Sequence, residues 1–434
     1  MKRIPINHSN RISNKLASFL LSGMLFSTSV FSLAGCGNSL KSEDLTSSIT
    51  PNTIETNADM ATYNASVTDF GIRLFQNSFA NSAMTESNIN LLVSPISVMS
   101  ALSMTANGAD NETLSQMEST LGMTVSELNS YLRAYRIRAT SEQDSKFSLA
   151  NSIWFTEDDR FTVEETFLQT VVDYYDTQIY KTPFDKSTVK DINNWIDSNT
   201  DGKIPKIIDD VSENSIMYLV NALAFDAEWQ HTYESYQVND CIFRMEDGTE
   251  QTVGTMSSTE NKYLEDERTT GFIKYYKNKD YAFVALLPKE GIRMTDYIAS
   301  LDGRKLHSLI SNPEDTNVTI SLPKFEYECF TQMNEILQAM GMMDAFNVDS
   351  ADFSNLGSST GGNIFIEQVL HKTFITVAEK GTKAGAATVV AKASGDIALE
   401  DIKQVHLNRP FVYMLIDCES DVPFFIGTVM SINQ

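Results

Sequence analysis

Basic residues are scarce in this 434-residue chain. The 33 Lys and Arg stand against 57 Asp and Glu, a formal net charge of −24. That balance excludes a protein that grips nucleic acid through its phosphates, which needs a basic surface. Cysteine is scarcer still, at four residues, so no disulfide framework is indicated. Only five histidines occur, and neither a His-Glu-x-x-His nor a Cys-x-x-Cys spacing exists, which argues against a zinc site. No Pro-, Gly- or Ser-rich linker divides residues 63–434, and no internal repeat is present. What remains is globular composition, with 42% apolar and 21% charged residues. A core of this size needs neither disulfides nor metals as staples.

Residues 1–35 stand apart from the rest. Lys2, Arg3, Arg11 and Lys15 accompany an apolar run at 16–33, and no acidic residue precedes Glu43. The run contains Ser, Gly and Thr and is short for a membrane span. A charged start, a short apolar stretch and small residues before a cut describe a secretory signal peptide. Leu33-Ala34-Gly35-Cys36 resembles a bacterial lipoprotein lipobox. The resemblance implies a diacylglycerated Cys36 as the first mature residue. The expected product is secreted, extracellular and lipid-anchored to the outer face of a bacterial membrane. A single acyl chain holds only marginally, two or three hold well. Removing 1–35 leaves 399 residues and moves the charge from −24 to −28, because four basic and no acidic residues depart. Residues 36–62 carry little apolar periodicity and read as a flexible tether to a domain at 63–434.

Helical patterns come first in that domain. Val67, Phe70, Leu74, Phe75 and Phe79 share one helix face. Ser94-Pro95 is a helix start with a capping hydroxyl and Pro at the first helical position. Asp110 caps a further helix, and Thr124-Val-Ser-Glu127 reads as a capping box. Residues 163–175 and 190–199 also look helical. Strands dominate later, at 216–225, 281–287, 318–327, 364–377, 405–417 and 423–432, with an earlier one at 147–155 and one helix at 331–340. This order favours α+β over a doubly wound α/β fold.

Enzyme motifs are weak. Gly357-Ser358-Ser359-Thr360-Gly361 matches Gly-x-Ser-x-Gly, but a polar stretch precedes it and a strand follows, so a loop is expected. Ser321-Leu-Pro-Lys324 and Ser187-Thr-Val-Lys190 match Ser-x-x-Lys without a Ser-Asp-Asn partner. Cys241, Cys329 and Cys418 read as buried small hydrophobes. No cofactor is expected.

The informative stretch is 379–395, Glu-Lys-Gly-Thr-Lys-Ala-Gly-Ala-Ala-Thr-Val-Val-Ala-Lys-Ala-Ser-Gly. In an extended chain Thr382, Ala384, Ala386, Thr388 and Val390 share a face without charge, while Lys383 points the other way. Such a segment suits an exposed loop, and its composition also permits a buried central strand. Read without further context, it is a small-residue linker.

The chain resembles the serpins over essentially all of 63–434. Motifs in order carry the likeness: Asn90-Leu-Leu-Val-Ser94-Pro-Ile-Ser97, Ile192-Asn-Asn-Trp195 with Thr200-Asp-Gly-Lys-Ile204, and Val220-Asn221-Ala-Leu-Ala-Phe225 with Trp229. Leu322-Pro-Lys-Phe325, Met340-Gly-Met-Met-Asp-Ala-Phe346, Glu379-Lys-Gly-Thr382 and Asn408-Arg-Pro-Phe411 follow. The resemblance implies a serpin fold with three sheets, about nine helices and an exposed reactive-centre loop.

It further implies a protease inhibitor, not an enzyme. The target serine protease attacks the loop and is trapped as an acyl-enzyme when the loop inserts into the main sheet. The implied hinge is Glu379, Gly381, Thr382, Ala384, Gly385, Ala386, Ala387 and Thr388. Ser94, Ser97, Asn221 and His371 match the polar cluster that gates sheet opening, and Trp229 the aromatic where insertion begins. Counting forward from Glu379 places the cleaved bond after Gly395, and counting back from Asn408-Arg409-Pro410 places it near Leu399. The reactive region is therefore Ala393, Ser394, Gly395, Asp396 and Ile397, extending to Leu399, and it holds no Arg or Lys. That composition suits elastase- or subtilisin-like targets, engaged by a monomer. Non-inhibitory relatives tend to carry charged or bulky hinge residues. The alternative reading is a serpin-fold binding protein without inhibitory activity.

Overall fold

The computed structural model describes residues 40–54, 59–83, 88–141, 145–212, 215–382 and 402–432. The chain runs through β1 (Glu43–Asp44), α1 (Asn64–Ala83), β2 (Leu91–Val93), α2 (Pro95–Ala106), α3 (Asn111–Leu121) and α4 (Val125–Ser141). It continues through β3 (Ser145–Thr156), β4 (Phe161–Val163), α5 (Glu165–Tyr175), β5 (Gln178–Thr182), α6 (Lys186–Asn199) and β6 (Met217–Glu228). Next come β7 (Val238–Arg244), β8 (Glu250–Glu265), β9 (Thr269–Tyr275), β10 (Tyr281–Pro288), α7 (Met294–Ala299) and α8 (Gly303–Ser311). The last part holds β11 (Glu314–Pro323), β12 (Phe325–Gln332), α9 (Asn334–Ala339), β13 (Gly357–Ser359), β14 (Gln368–Ala378), β15 (Gly381–Thr382), β16 (Lys403–His406), β17 (Phe411–Asp417) and β18 (Val422–Val429).

Among the described residues these nine α-helices accompany three sheets, an α+β architecture. A seven-stranded sheet has the order β1-β5-β3-β6-β15-β14-β12. A nine-stranded sheet runs β16-β11-β8-β9-β10-β17-β18-β2, with β7 paired to β8. β13 and β4 form a two-stranded sheet. The main core includes α1, α2, β10, β17 and β18, and every residue of α2 is buried. A second cluster packs Ile192, Trp195 and Ile196 of α6 against Trp154, Tyr218 and Leu370 of the seven-stranded sheet. Trp154 stacks on Tyr180 at 4.3 Å and meets Trp195 edge-on at 6.4 Å.

Local signals place the helix starts. Ser94 Oγ accepts from Ser97 N at 3.3 Å with Pro95 opening α2. Thr124 N donates to Glu127 Oε2 at 2.8 Å, and Glu127 N returns the bond to Thr124 Oγ1 at 3.4 Å, which closes the expected box.

Several expectations change. The strand at 318–327 is two, β11 and β12, in different sheets; they part at Lys324, whose N–H bonds Gly254 O at 2.9 Å. The strand at 405–417 divides around Asn408-Arg409-Pro410 into β16 and β17. The helix at 331–340 starts only at Asn334, because 331–332 complete the ladder of β12 with β14. β7 escaped notice because most of its residues face solvent, and β8 because it carries little apolar alternation. Cys241 is exposed on β7 and Cys329 and Cys418 are only partly buried, so none is the fully buried hydrophobe expected.

The tether reading fails over residues 40–54. β1 adds to the edge of β5. Asp191 Oδ2 accepts from Lys41 N at 2.8 Å and from Ser42 N and Oγ at 2.7 Å each. Asp173 accepts from Asn52 N at 2.7 Å and Nδ2 at 2.9 Å. Leu40, Leu45 and Ile49 pack on the core. Buried partners 120 to 150 positions away supply what the polar composition of this segment conceals.

Candidate functional site

The site is the seam between β6 and β14. These strands pair in parallel from Gln368↔Tyr218 to Thr373↔Leu223, so His371 lies level with Asn221. Both side chains are fully buried, as are Ser94 and Ser97 at the start of α2 beneath them. His371 Nδ1 is 2.5 Å from Asn221 Oδ1, and His371 Nε2 accepts from Ser94 N at 3.0 Å. Because Nε2 accepts, the ring proton sits on Nδ1 and is donated to Asn221. Ser97 Oγ donates to the same Asn221 oxygen at 3.3 Å. Burial lowers the His371 pKa to about 3, so the imidazole is neutral. The four predicted gating residues therefore form one network that ties both strands to α2.

Above this level the two strands separate. No direct β6–β14 pairing continues beyond Thr373↔Leu223. Four positions higher, β15 lies between them: Thr382 pairs with Val377 and Ala227, and Gly381 with Ala378 and Glu228. The chain reverses after β14 through a tight turn at Glu379-Lys380. Gly381 has φ +153, and a Cβ there would lie 2.0 Å from Ala227 O, so the position accepts only glycine. Thr382 is 2% exposed, with Oγ1 2.5 Å from Tyr276 OH.

Trp229 fastens this turn from both ends. Its N–H donates to Lys380 O at 2.7 Å, and Nε1 donates to Ala378 O at 2.8 Å. Tyr233 N donates to Glu379 O at 2.8 Å. Glu379 Oε1 is 2.7 Å from Lys324 Nζ. Burial opposes ionisation of Glu379, but the Lys324 ammonium outweighs it and holds the carboxyl below its ordinary value.

Ala384, Gly385, Ala386, Ala387 and Thr388 of the hinge lie outside the described residues, as do Ala393, Ser394, Gly395, Asp396 and Ile397 of the reactive region and Cys36. The segment 383–401 connects Thr382 in the seven-stranded sheet to β16 beside β11 in the nine-stranded one. Sequence reasoning missed Tyr233, Tyr276 and Lys324. Each is remote from the hinge in sequence, and only the sheet crossing brings them to it.

Ser359 and Lys324, from two of the motif matches, have other partners. Ser359 sits at the end of β13, accepting from Gly361 N at 3.1 Å, with no strand-to-helix turn around it. Lys324 of the Ser-x-x-Lys match is paired with Glu379.

Residues 65–432 match the family described as Serpin (serine protease inhibitor). This chain belongs to the serpin family. Members are generally inhibitors of serine proteases. The crystal structure of the thermophilic serpin Tengpin in its native state shares 47% identity and a TM-score of 0.85, covering 90% of this chain and 99% of that one. Tengpin in the latent state shares 48% identity at a TM-score of 0.75, covering 88% and 100%. The leukocyte elastase inhibitor of Xenopus laevis is 28% identical over 79% of this chain and 93% of its own.

Proposed function

We propose that this serpin inhibits serine endopeptidases as a suicide substrate. The carrying observation is the partly opened seam, with Gly381–Thr382 seated as a wedge between β6 and β14. Serpin loop insertion is an established instance of strand addition and of stored strain released. The register already begun by Thr382 dictates where further residues would go. Three positions, level with Phe374–Thr376 and Ala224–Asp226, come before the first direct β6–β14 pair. Continuing the same register sets Thr388 level with both Asn221 and His371. Ala384, Ala386 and Thr388 would then share the inward face with Thr382. All are small and uncharged, which suits burial.

The chemistry follows from competition. A protease serine attacks a carbonyl in the 393–399 region, forms an acyl bond and releases the new amine end. Loop insertion then gains main-chain hydrogen bonds and buries the inward face. The protease is carried off and distorted before water can complete hydrolysis. Loss of a single oxyanion donor slows such a step by about 10²–10³. Lipidation of Cys36 displays the inhibitor on the outer face of a bacterial membrane, and a 393–399 region without Arg or Lys directs it to elastase- or subtilisin-like enzymes.

Incubation with an elastase, subtilisin, trypsin and papain tests this reading. An SDS-resistant complex with the first two, and a released peptide beginning between 394 and 400, is the expected result. Cleavage after Lys392 or Lys403 overturns the target class. Cleavage without any complex overturns the inhibitory reading.

A further inference from the structure

Beneath the seated turn lies a buried ion pair unrelated to any motif. Lys274 of β9 is 1% exposed, and its Nζ is 2.7 Å from Glu260 Oε1 of β8. The same ammonium lies 4.5 Å from the Tyr233 ring centroid and 5.4 Å from that of Trp229. It also donates to His231 O at 3.4 Å. Glu260 accepts in turn from Ser258 Oγ at 2.7 Å, and Ser258 is 3.1 Å from Tyr233 OH. Trp229 stacks on Tyr276 at 4.4 Å with an interplanar angle of 12°.

These are the three aromatic residues that hold 378–382. The Trp229 ring bonds the Ala378 carbonyl and the Tyr276 hydroxyl meets Thr382, while the main-chain N–H groups of Trp229 and Tyr233 bond the carbonyls of Lys380 and Glu379, on the stretch whose His231 carbonyl Lys274 holds. Two rings face the Lys274 charge directly and the third is stacked on one of them. Burying an ion pair is costly, and a well-packed apolar pair often serves stability equally well. What a charge adds is direction: a cation fixes the ring faces presented to it, and the carboxylate fixes the cation.

We propose that Lys274 is a positioning residue for loop insertion, acting through Trp229, Tyr233 and Tyr276 to keep the turn at 378–382 seated in the seam. The functional half of this statement rests on the inhibitory reading above; the seating half does not. A seated turn has its first strand pairs formed before a protease arrives. An unseated turn must order itself first, and that delay favours hydrolysis of the acyl-enzyme over trapping.

The test uses the full mature chain with three variants: Lys274→Met, Lys274→Arg, and Lys274→Met with Glu260→Leu. The double variant leaves no orphaned buried charge, so it keeps the question open if the single one fails to fold. Hydrogen exchange of the Gly381 and Thr382 amides is read first, without any protease. The double variant should exchange there faster by roughly tenfold or more at an unchanged global unfolding midpoint, and Lys274→Met, which leaves Glu260 unpaired, should show the same local loss with a lower midpoint. Lys274→Arg should restore protection. With an elastase or subtilisin that forms the complex, the stoichiometry of inhibition should rise by roughly threefold or more while the association rate stays within about twofold. Unchanged exchange at Gly381 and Thr382 in the double variant overturns the proposal. Faster exchange with unchanged stoichiometry overturns its functional half. Absence of complex from the parent chain itself counts against the inhibitory reading and leaves the exchange result to decide the seating.

Discussion

His371 and Asn221 join β14 to β6 through a hydrogen bond of 2.5 Å, at the height where the inserting loop would have to pass. The bond ties the two strands and also serves as a landmark. It closes the seam, and by the register of Thr382 it marks the level that Thr388 would occupy.

Thr382→Arg should turn the inhibitor into a substrate. Thr382 is buried against Tyr276, and an unpaired charge in that place is costly to bury. Proteolysis of the loop should proceed at a similar rate while the SDS-resistant complex disappears. A full-yield complex from the variant would show that this face is not buried on insertion.

Gly381→Ala should unseat the turn without touching the charge network. The new methyl would meet Ala227 O at 2.0 Å from a backbone with φ +153. Faster exchange at 381–382 and a loss of stability of about 1–3 kcal/mol are expected in denaturant titrations. Wild-type protection in the variant would contradict the described packing.

Acid should weaken the native state through His371. The unfolded imidazole titrates near 6.5, while burial holds the native one at about 3. Between those values the unfolded chain binds the extra proton, so stability present above pH 6.5 is lost progressively as pH falls toward 3. The loss should reach a few kcal/mol in midpoint measurements across that window. A His371→Asn variant should be less stable at neutral pH but show a flatter slope between pH 6.5 and 4.

Asp191→Ala should release residues 40–48. Three donors of Lys41 and Ser42 converge on one carboxylate oxygen, and charge-assisted bonds are the stronger kind. Limited proteolysis should cut this segment first, with a stability cost of about 1.5–3 kcal/mol. Resistance equal to the parent would show that β1 pairing alone holds it.

Cys36→Ser should abolish partition into detergent and membrane fractions while leaving inhibition in solution unaltered. Retention at the membrane would refute the lipid anchor.

Much of this protein was legible from its residues alone. Ser94-Pro95 and Thr124–Glu127 act within one helical turn, so local chemistry sufficed to place two helix starts. Strands such as β6, β10 and β18 are buried on both faces, and their continuous apolar runs announced them. The family motifs group Ser94, Ser97, Asn221 and His371, and the fold joins them in one buried network. The sequence could not reveal that residues 318–327 change sheets at Lys324, or that a polar segment at 40–54 docks on Asp173 and Asp191. It also could not show that Gly381–Thr382 already occupies the seam, or that Lys274 faces the rings of Trp229 and Tyr233 beside it. Each of those facts depends on partners far away along the chain. Periodicity reports what one segment presents; only packing decides which distant carboxylate, ring or strand edge meets it.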